Sequence, residues 1–238
     1  MAMKILVTND DGIDSPSLLC LAKWARQFGE VTVSAPKYEQ SAKSHGIELH
    51  GQIEAKRVDY ADGIEAYSVA STPADCVRFG SFGIGKRYDL VLSGINRGYN
   101  LGNDIVYSGT VGAVMEACGL GMRGIALSTH REDHLPAVSQ LDAVYRFVEE
   151  KRLFEAGSVY NINIPPVCKG IRLTRQGELF YRDRFESVGK DLYLQRGEPI
   201  EQAVLDPDTD VGAVKSGYIS VTPLTLQMTD LSALARLK

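Results

Sequence analysis

The sequence predicts an α/β protein with a Rossmann-like, doubly wound and mostly parallel sheet. Three observations lead to this fold class. Short apolar runs alternate with segments of helical period over residues 1–166. Two adjacent carboxylates, Asp10 and Asp11, follow the first run directly, where open α/β sheets bind their ligands. Beyond residue 167 the pattern changes, which predicts a β-rich C-terminal extension.

The first strand-helix-strand unit is the clearest local pattern. The apolar run 5–7 predicts the first strand, and Pro16 can occupy the first turn of the following helix. That helix has apolar residues at intervals of three and four, and Trp24 belongs to the same packing surface. The run 31–35, closed by Pro36, predicts the second strand.

The middle of the chain continues the alternation. Residues 47–69 alternate apolar and polar side chains between turn signals and predict a β-hairpin insertion. Thr72 and Pro73 predict a short helix through Phe79, in which Asp75 is interpreted as a first-turn charge rather than a catalytic acid. Further strands are predicted at 89–93, 124–128 and 160–164, and helices after Thr110 and between 136 and 151.

Composition excludes several classes of protein. The chain has 238 residues, a formal net charge of -4 and a pI near 5.6, which argues against a general nucleic-acid-binding surface. A secretory signal pattern and a membrane-spanning apolar run are both missing, so we expect a cytoplasmic protein with no membrane or nucleic-acid partner. The four cysteines lack CxxC spacing, which favours buried reduced thiols over a zinc site.

The C-terminal part interleaves arginines and tyrosines with acidic residues. Because the charges alternate in sign, a solvated hairpin or a subunit contact is favoured over RNA binding. A strand over 218–221 and a short helix over 231–237 are also predicted. We therefore predict two parts, a catalytic core over 1–166 and a C-terminal extension over 167–238.

Three loops that follow predicted strands carry oxygen ligands. They supply Asp10 and Asp11 after the first strand, Ser41 after the second, and Asn96 after the strand that ends at Ser93. Since the carboxyl ends of parallel strands share one edge of the sheet, we expect these side chains to converge. Hard oxygen donors favour Mg²⁺, Mn²⁺ or Ca²⁺ over zinc or copper. The four histidines lack HExxH spacing, and most are interpreted as structural or surface residues.

A second cluster predicts an anion site. Ser108, Gly109 and Thr110 open a predicted helix, where free N–H groups and the helix dipole favour a phosphate. Simple N-capping would explain one of the two hydroxyls but not both. A metal beside this helix start suits phosphoryl hydrolysis.

Several motifs in this order resemble the stationary-phase survival protein SurE family over essentially the whole chain. They are Thr8-Asn9-Asp10-Asp11-Gly12, Thr72-Pro73-Ala74-Asp75-Cys76, Ser93-Gly94-Ile95-Asn96-Arg97-Gly98, Tyr107-Ser108-Gly109-Thr110-Val111-Gly112, Asn163-Ile164-Pro165 and a closing segment over 208–224. Two sites depart from the usual pattern. Ser44-His45-Gly46 stands where the family commonly has Gly-His-Ser, and Ser71 where Gly often precedes Thr-Pro-Ala-Asp. Both departures bear on the substrate rim and base preference.

The resemblance implies a nucleotidase that hydrolyses nucleoside 5′- and 3′-monophosphates with one Mg²⁺ or Mn²⁺ per subunit. It implies metal ligands at Asp10, Asp11, Ser41 and Asn96, and phosphate contacts at Asn100, Ser108, Gly109 and Thr110. Asp10 and Asp11 would also be the catalytic residues. Some family members cleave short polyphosphate, which leaves that activity open here. The C-terminal extension would exchange between subunits of a homodimer or homotetramer.

Two alternatives remain open from the sequence. Asp10 could act as a covalent nucleophile, although aspartyl phosphatases usually place their second acid two positions on, and here Asp11 is adjacent. The chain could also sense nucleotides without turning them over.

Overall fold

The computed structural model describes residues 2–178, 181–199 and 206–238. The strands are β1 (Met3–Thr8), β2 (Gly29–Pro36), β3 (Ala55–Val58), β4 (Glu65–Val69), β5 (Leu90–Arg97), β6 (Arg123–Thr129), β7 (Val159–Ile164), β8 (Ile171–Leu173), β9 (Tyr181–Gly189), β10 (Leu192–Pro199) and β11 (Ile219–Leu224). The helices are α1 (Pro16–Ala25), α2 (Pro73–Arg78), α3 (Gly109–Gly119), α4 (Leu135–Glu150), α5 (Leu153–Ala156), α6 (Asp210–Lys215) and α7 (Leu231–Leu237). Short 3₁₀ turns cover Ala61–Gly63 and Gly102–Tyr107, and a π turn covers Phe79–Gly83.

The central sheet confirms the predicted fold class. Its order is β3-β4-β2-β1-β5-β6-β7-β11-β8, and β4, β2, β1, β5, β6 and β7 are parallel. The chain leaves β1 for β2 on one side and returns to β5 on the other. The gap between β1 and β5 is therefore the topological switch point, where such sheets bind ligands at the carboxyl ends of the strands.

Helices cover both faces of the sheet because alternate residues of a strand point to opposite sides. Ile5 and Val7 pack with α1 and α4 in the largest core cluster, through residues such as Leu18 and Leu141. Leu6 lies on the other face with α2 and α3. The predicted role of Trp24 is confirmed, because its ring packs edge-on against Phe28 and Tyr145.

The predicted hairpin exists, but it is shorter than residues 47–69. It consists of β3 and β4, which pair antiparallel between Ala55 and Val69, and residues 47–54 precede it without a strand. Because β4 also pairs in parallel with β2, the hairpin extends the edge of the central sheet rather than standing apart from it.

The C-terminal part also contributes to the central sheet. β11 pairs antiparallel with β7 and parallel with β8, so two strands after residue 167 continue the core sheet. β9 and β10 form a separate antiparallel hairpin. Within the predicted extension, residues 179–180 and 200–205 lie outside the described residues. The domain boundary and the exchange between subunits stay predictions.

Several smaller expectations can be compared with the structure. The predicted helix over 231–237 matches α7. The strand predicted at 218–221 runs further, to Leu224. All four cysteines are free thiols, as expected, but only Cys76 is buried, whereas Cys20, Cys118 and Cys168 are partly exposed. None of the described helices is both long and apolar enough to cross a bilayer.

Candidate active site at the switch point

A cavity of about 690 Å³ lies at the carboxyl ends of β1 and β5. Six of the eight predicted site residues line it: Asp10, Asp11, Ser41, Asn96, Asn100 and Ser108. The predicted convergence of the three strand-end loops is therefore observed. Gly109 and Thr110 lie behind this lining, against Asp10.

The turn that carries the two aspartates is closed by Asn9. The buried Asn9 side chain donates to the Gly12 carbonyl at 3.0 Å and accepts from the Gly12 N–H at 3.2 Å. Gly12 has φ +103, a conformation that favours glycine. This closed turn fixes the backbone on both sides of Asp10 and Asp11, so two like charges are held next to each other.

Asp10 is almost fully buried, and α3 supports it. The Thr110 hydroxyl donates to Asp10 Oδ1 at 2.6 Å. Burial raises the pKa of Asp10 to about 6, hydrogen bonds from the Thr110 hydroxyl and N–H oppose this rise, and the charge of Asp11 adds to it. The carboxylate therefore lacks a counter-charge that a bound cation would supply.

Asp11 gives the clearest indication that this cavity binds a ligand. Its Oδ2 atom is buried, and no described residue hydrogen-bonds to it. Burial raises the pKa of Asp11, while a hydrogen bond from the Arg97 backbone opposes the rise and the charge of Glu39 adds to it. A buried carboxylate oxygen without a partner is costly unless a ligand binds it. The donor set of two carboxylates, a hydroxyl and an amide oxygen fits a hard divalent cation.

Ser41 and Asn96 occupy the other sides of the cavity. The Asn96 Nδ2 group donates to the Gly98 carbonyl at 2.8 Å. The Oδ1 atom of the same Asn96 amide therefore points away from Gly98. The Ser41 hydroxyl donates to Glu39 Oε1 at 2.5 Å. The Ser41 side chain is exposed at the rim of the cavity.

The loop that carries Ser41 is fastened to α3 rather than left in solvent. A Cβ at Gly112 would stand 2.3 Å from the Ser44 carbonyl oxygen, so Gly112 permits this close approach. Ser44 itself has φ +56, at one of the positions where the sequence departs from the family pattern. A non-glycine residue there costs about 1 kcal/mol or more.

The residues at the start of α3 have different roles from those predicted. Ser108 caps α3, with its hydroxyl accepting from the Val111 N–H at 3.1 Å. The Thr110 side chain is occupied with Asp10, so it does not face the cavity. The first turn of α3 therefore supports the carboxylate of Asp10, a predicted metal ligand, and its role as a phosphate site stays a prediction.

With this geometry in view, comparison with known proteins identifies the family. Residues 5–183 match the family described as Survival protein SurE. The chain belongs to the SurE family. The 5′-nucleotidase SurE of Fervidobacterium nodosum is 42% identical, covering 99% of this chain and 96% of its own. The 5′-nucleotidase SurE of Thermosipho africanus is 40% identical with the same coverage. The crystal structure of the SurE protein from Aquifex aeolicus superposes with a TM-score of 0.82 at 34% identity, covering 99% and 98% of the two chains.

In this SurE-family chain the Asn100 loop is held from β7. The Asn163 side chain accepts from the Asn100 N–H and donates to the Asn100 carbonyl, both at 2.9 Å. Asn161 donates to the same carbonyl at 2.9 Å, and Asn100 Nδ2 donates to the Ser128 hydroxyl at 2.7 Å. Three of these bonds fix the backbone of Asn100, a predicted phosphate ligand, and the fourth orients its side chain. In the sequence Asn163 is recognisable only as part of a motif, because its role depends on contacts with a residue 63 positions away.

Several residues that line the cavity have no role in the site predicted from the sequence. Arg97, His130 and Arg131 bring positive or titratable groups to it, and Tyr99, Asp104 and Tyr107 also form part of its wall. His130 and Arg131 follow β6 directly, so the same strand-end rule could have found them. His130 lines the cavity, and the interpretation of most histidines as structural or surface residues stays a prediction.

Proposed function

We propose that this chain is a divalent-metal-dependent phosphomonoesterase that hydrolyses nucleoside 5′- and 3′-monophosphates to nucleoside and phosphate. The observation that carries the proposal is the buried, unpartnered Oδ2 of Asp11 beside Asp10, in a cavity shared with Ser41 and Asn96. The relatives named 5′-nucleotidase SurE, similar over nearly the whole chain, support the substrate class.

The four predicted ligands would hold the cation, for which we propose Mg²⁺ or Mn²⁺. When bound, the cation would act as a Lewis acid toward the phosphoryl group and activate the attacking water. The protein's own contribution is to hold Asp10 by Thr110 and Asp11 by the closed Asn9–Gly12 turn. Two fixed carboxylates offset the charge of the cation without rearranging when it binds.

Other groups would position the phosphate. The Asn100 side chain and Ser108 line the cavity, and the Gly109 N–H lies at the positive end of the α3 dipole. The Arg97 and Arg131 guanidinium groups add positive charge to the same cavity. These groups would attract the dianionic substrate and counter the negative charge that spreads over the equatorial oxygens during transfer.

The geometry favours an activated water over Asp10 as the nucleophile. Asp10 is buried, and its Oδ1 accepts from the Thr110 hydroxyl at 2.6 Å, which leaves only Oδ2 for a nucleophilic attack. If Asp10 were a covalent nucleophile, it would form an acyl-phosphate intermediate. Acid quenching during turnover would trap this intermediate and so reveal that mechanism.

The direct test of the proposal is phosphate release from a panel of nucleotides. We expect activity on 5′- and 3′-monophosphates with Mn²⁺ or Mg²⁺, loss on chelation, and recovery when the metal is restored. Short polyphosphate belongs in the same panel. Intact nucleotide bound after long incubation with excess protein would instead support a sensing module, and unchanged turnover under excess chelator would contradict metal dependence.

We also propose that the chain forms a homodimer or homotetramer through its C-terminal part. The β9–β10 hairpin exposes large apolar side chains: Phe185, Val188, Leu192, Tyr193 and Leu194. The helix α7 likewise has no buried residue and exposes Leu231, Leu234 and Leu237. Such surface is typical of an interface. Light scattering should give two or four times the chain mass of 26.0 kDa, and a monomer at micromolar concentration would contradict the exchange.

A further inference from the structure

The loop that carries Ser41 adopts a backbone conformation that its own residues disfavour. Residues 37–54 form no helix or strand, and Ala42 and Ser44 have φ angles of +57 and +56. A residue with a Cβ is disfavoured in this left-handed conformation, which persists only where the surrounding structure imposes it. Contacts with the rest of the fold must therefore hold this loop in place.

Backbone hydrogen bonds hold both ends of the segment around Ser41. The Gln40 N–H donates to the Asp10 carbonyl at 2.7 Å. At the other end, the Ser44 N–H and hydroxyl donate to the carbonyls of residues 106–107 at 3.0 and 2.6 Å. Both of those partner residues are 59% exposed, so these contacts at the Ser44 end do not reach the core of the fold.

The next side chain ties the same end of the segment to α3. His45 Nε2 lies 2.7 Å from Glu116 Oε2, and Arg78 Nη1, from the last residue of α2, donates to Glu116 Oε1 at 2.9 Å. The Glu116 side chain is only 12% exposed, compared with 36% for His45. One well-buried carboxylate thus connects the loop with both α2 and α3.

The charge state of Glu116 fixes the direction of the bond to His45. The hydrogen bond with His45 lowers the pKa of Glu116, burial opposes this change, and the hydrogen bond from Arg78 lowers the pKa further. An ionised carboxylate can only accept, so the Nε2 atom of His45 carries the proton and donates it to this bond.

We propose that His45 is a positioning residue, whose hydrogen bond to Glu116 holds the loop in the conformation that places Ser41 at the metal cavity. Without this bond the loop would more often adopt conformations in which Ser41 lies away from the cavity. The apparent affinity for the metal falls in proportion to the fraction of molecules that keep Ser41 in place. This inference deepens the proposed function and rests on it, because Ser41 is a proposed metal ligand.

The first test uses the protein without metal. Lys43 is exposed in the loop, and trypsin cleaves after it when the loop opens. We expect His45→Ala to be cleaved at Lys43 about fivefold faster than the wild type, because proteolysis follows the population of the open form. His45→Gln should restore most of the protection, since its side-chain amide can donate in place of Nε2. Mass spectrometry of the fragments identifies the cleavage site.

The second test measures Mn²⁺ binding by titration calorimetry. We expect the Kd of His45→Ala to rise about fivefold, while kcat for AMP at saturating Mn²⁺ stays within about twofold of the wild type, because bound metal restores the position of Ser41. Glu116→Ala should raise the Kd by a similar factor. Adding His45→Ala to Glu116→Ala should change the Kd no further, because the two residues act through one bond.

His50→Ala is the matched control, because His50 is an exposed histidine in the same loop and no described residue hydrogen-bonds to its side chain. Its cleavage at Lys43 and its Kd for Mn²⁺ should equal those of the wild type. Unchanged cleavage or an unchanged Kd in His45→Ala, or additive losses with Glu116→Ala, would overturn the positioning role. A wild-type protein that binds no Mn²⁺ would instead overturn the proposed metal site, and the cleavage at Lys43 would still show whether His45 holds the loop.

Discussion

Replacing Asp11 by asparagine should lower metal-dependent nucleotidase activity by about 10²-fold or more. The substitution removes one of two adjacent charges and presents an amide where the buried, unpartnered Oδ2 stands. Metal affinity, measured by titration calorimetry with Mn²⁺, should fall with activity. Phosphate release from AMP at saturating metal gives the kinetic readout.

The Asp11→Asn substitution should not lower the thermal stability of the metal-free protein. Burial raises the pKa of Asp11, because the folded state disfavours its charged form. The protonated carboxyl therefore favours folding at low pH, and this contribution to stability is lost as the pH rises through the folded-state pKa. An uncharged asparagine avoids that cost at neutral pH. We therefore expect an unfolding temperature equal to or above that of the wild type without metal.

Glu39→Gln is the matched control, since Glu39 is an exposed carboxylate that lines the same cavity. It should lose less than about tenfold in activity, because Glu39 is not one of the predicted metal ligands and its partner is the Ser41 hydroxyl. Near-normal turnover of Asp11→Asn, in the presence of chelator, would refute the assignment of Asp11 as a metal ligand.

Replacing Asp210 by alanine should lower the free energy of unfolding by about 3 kcal/mol or more. The fully buried Asp210 carboxylate accepts from three backbone N–H groups: Gly102 at 3.0 Å, Gly177 at 2.8 Å and Val211 at 2.8 Å. Alanine would leave all three donors without a partner, and water cannot easily replace the lost acceptor. Urea unfolding followed by circular dichroism measures the change.

Asp210→Asn should give a smaller loss, because it keeps one oxygen acceptor and the shape of the side chain. Asp208→Ala is the control at an exposed aspartate two positions earlier, and it should stay within about 0.5 kcal/mol of the wild type. Equal free energies of unfolding for Asp210→Ala and Asp208→Ala would contradict the prediction, because they would show that the hydrogen bonds of the buried Asp210 carboxylate do not stabilise the fold.

Local patterns predicted much of the core fold because each strand and helix is specified by residues close in sequence. The run 5–7 and Pro16 place β1 and α1 within a few residues of their observed bounds. The hairpin was placed less well, because residues 47–54 alternate like a strand but have no neighbouring strand to pair with. Pairing partners of the C-terminal strands could not be read from local pattern either, since β11 inserts between β7 and β8.

The sequence by itself determined the oxygen-rich chemistry of the site and its place at the strand ends. Adjacent acids after an apolar run, and a hydroxyl and an amide after two other strands, are sufficient for that because parallel strands share an edge. Only the tertiary structure decided how these groups are supported. Thr110 reaches Asp10 across 100 positions, Gly112 admits the Ser44 carbonyl, and Asp11 retains an oxygen without a partner. Each of these depends on how separate elements pack, which no local periodicity encodes.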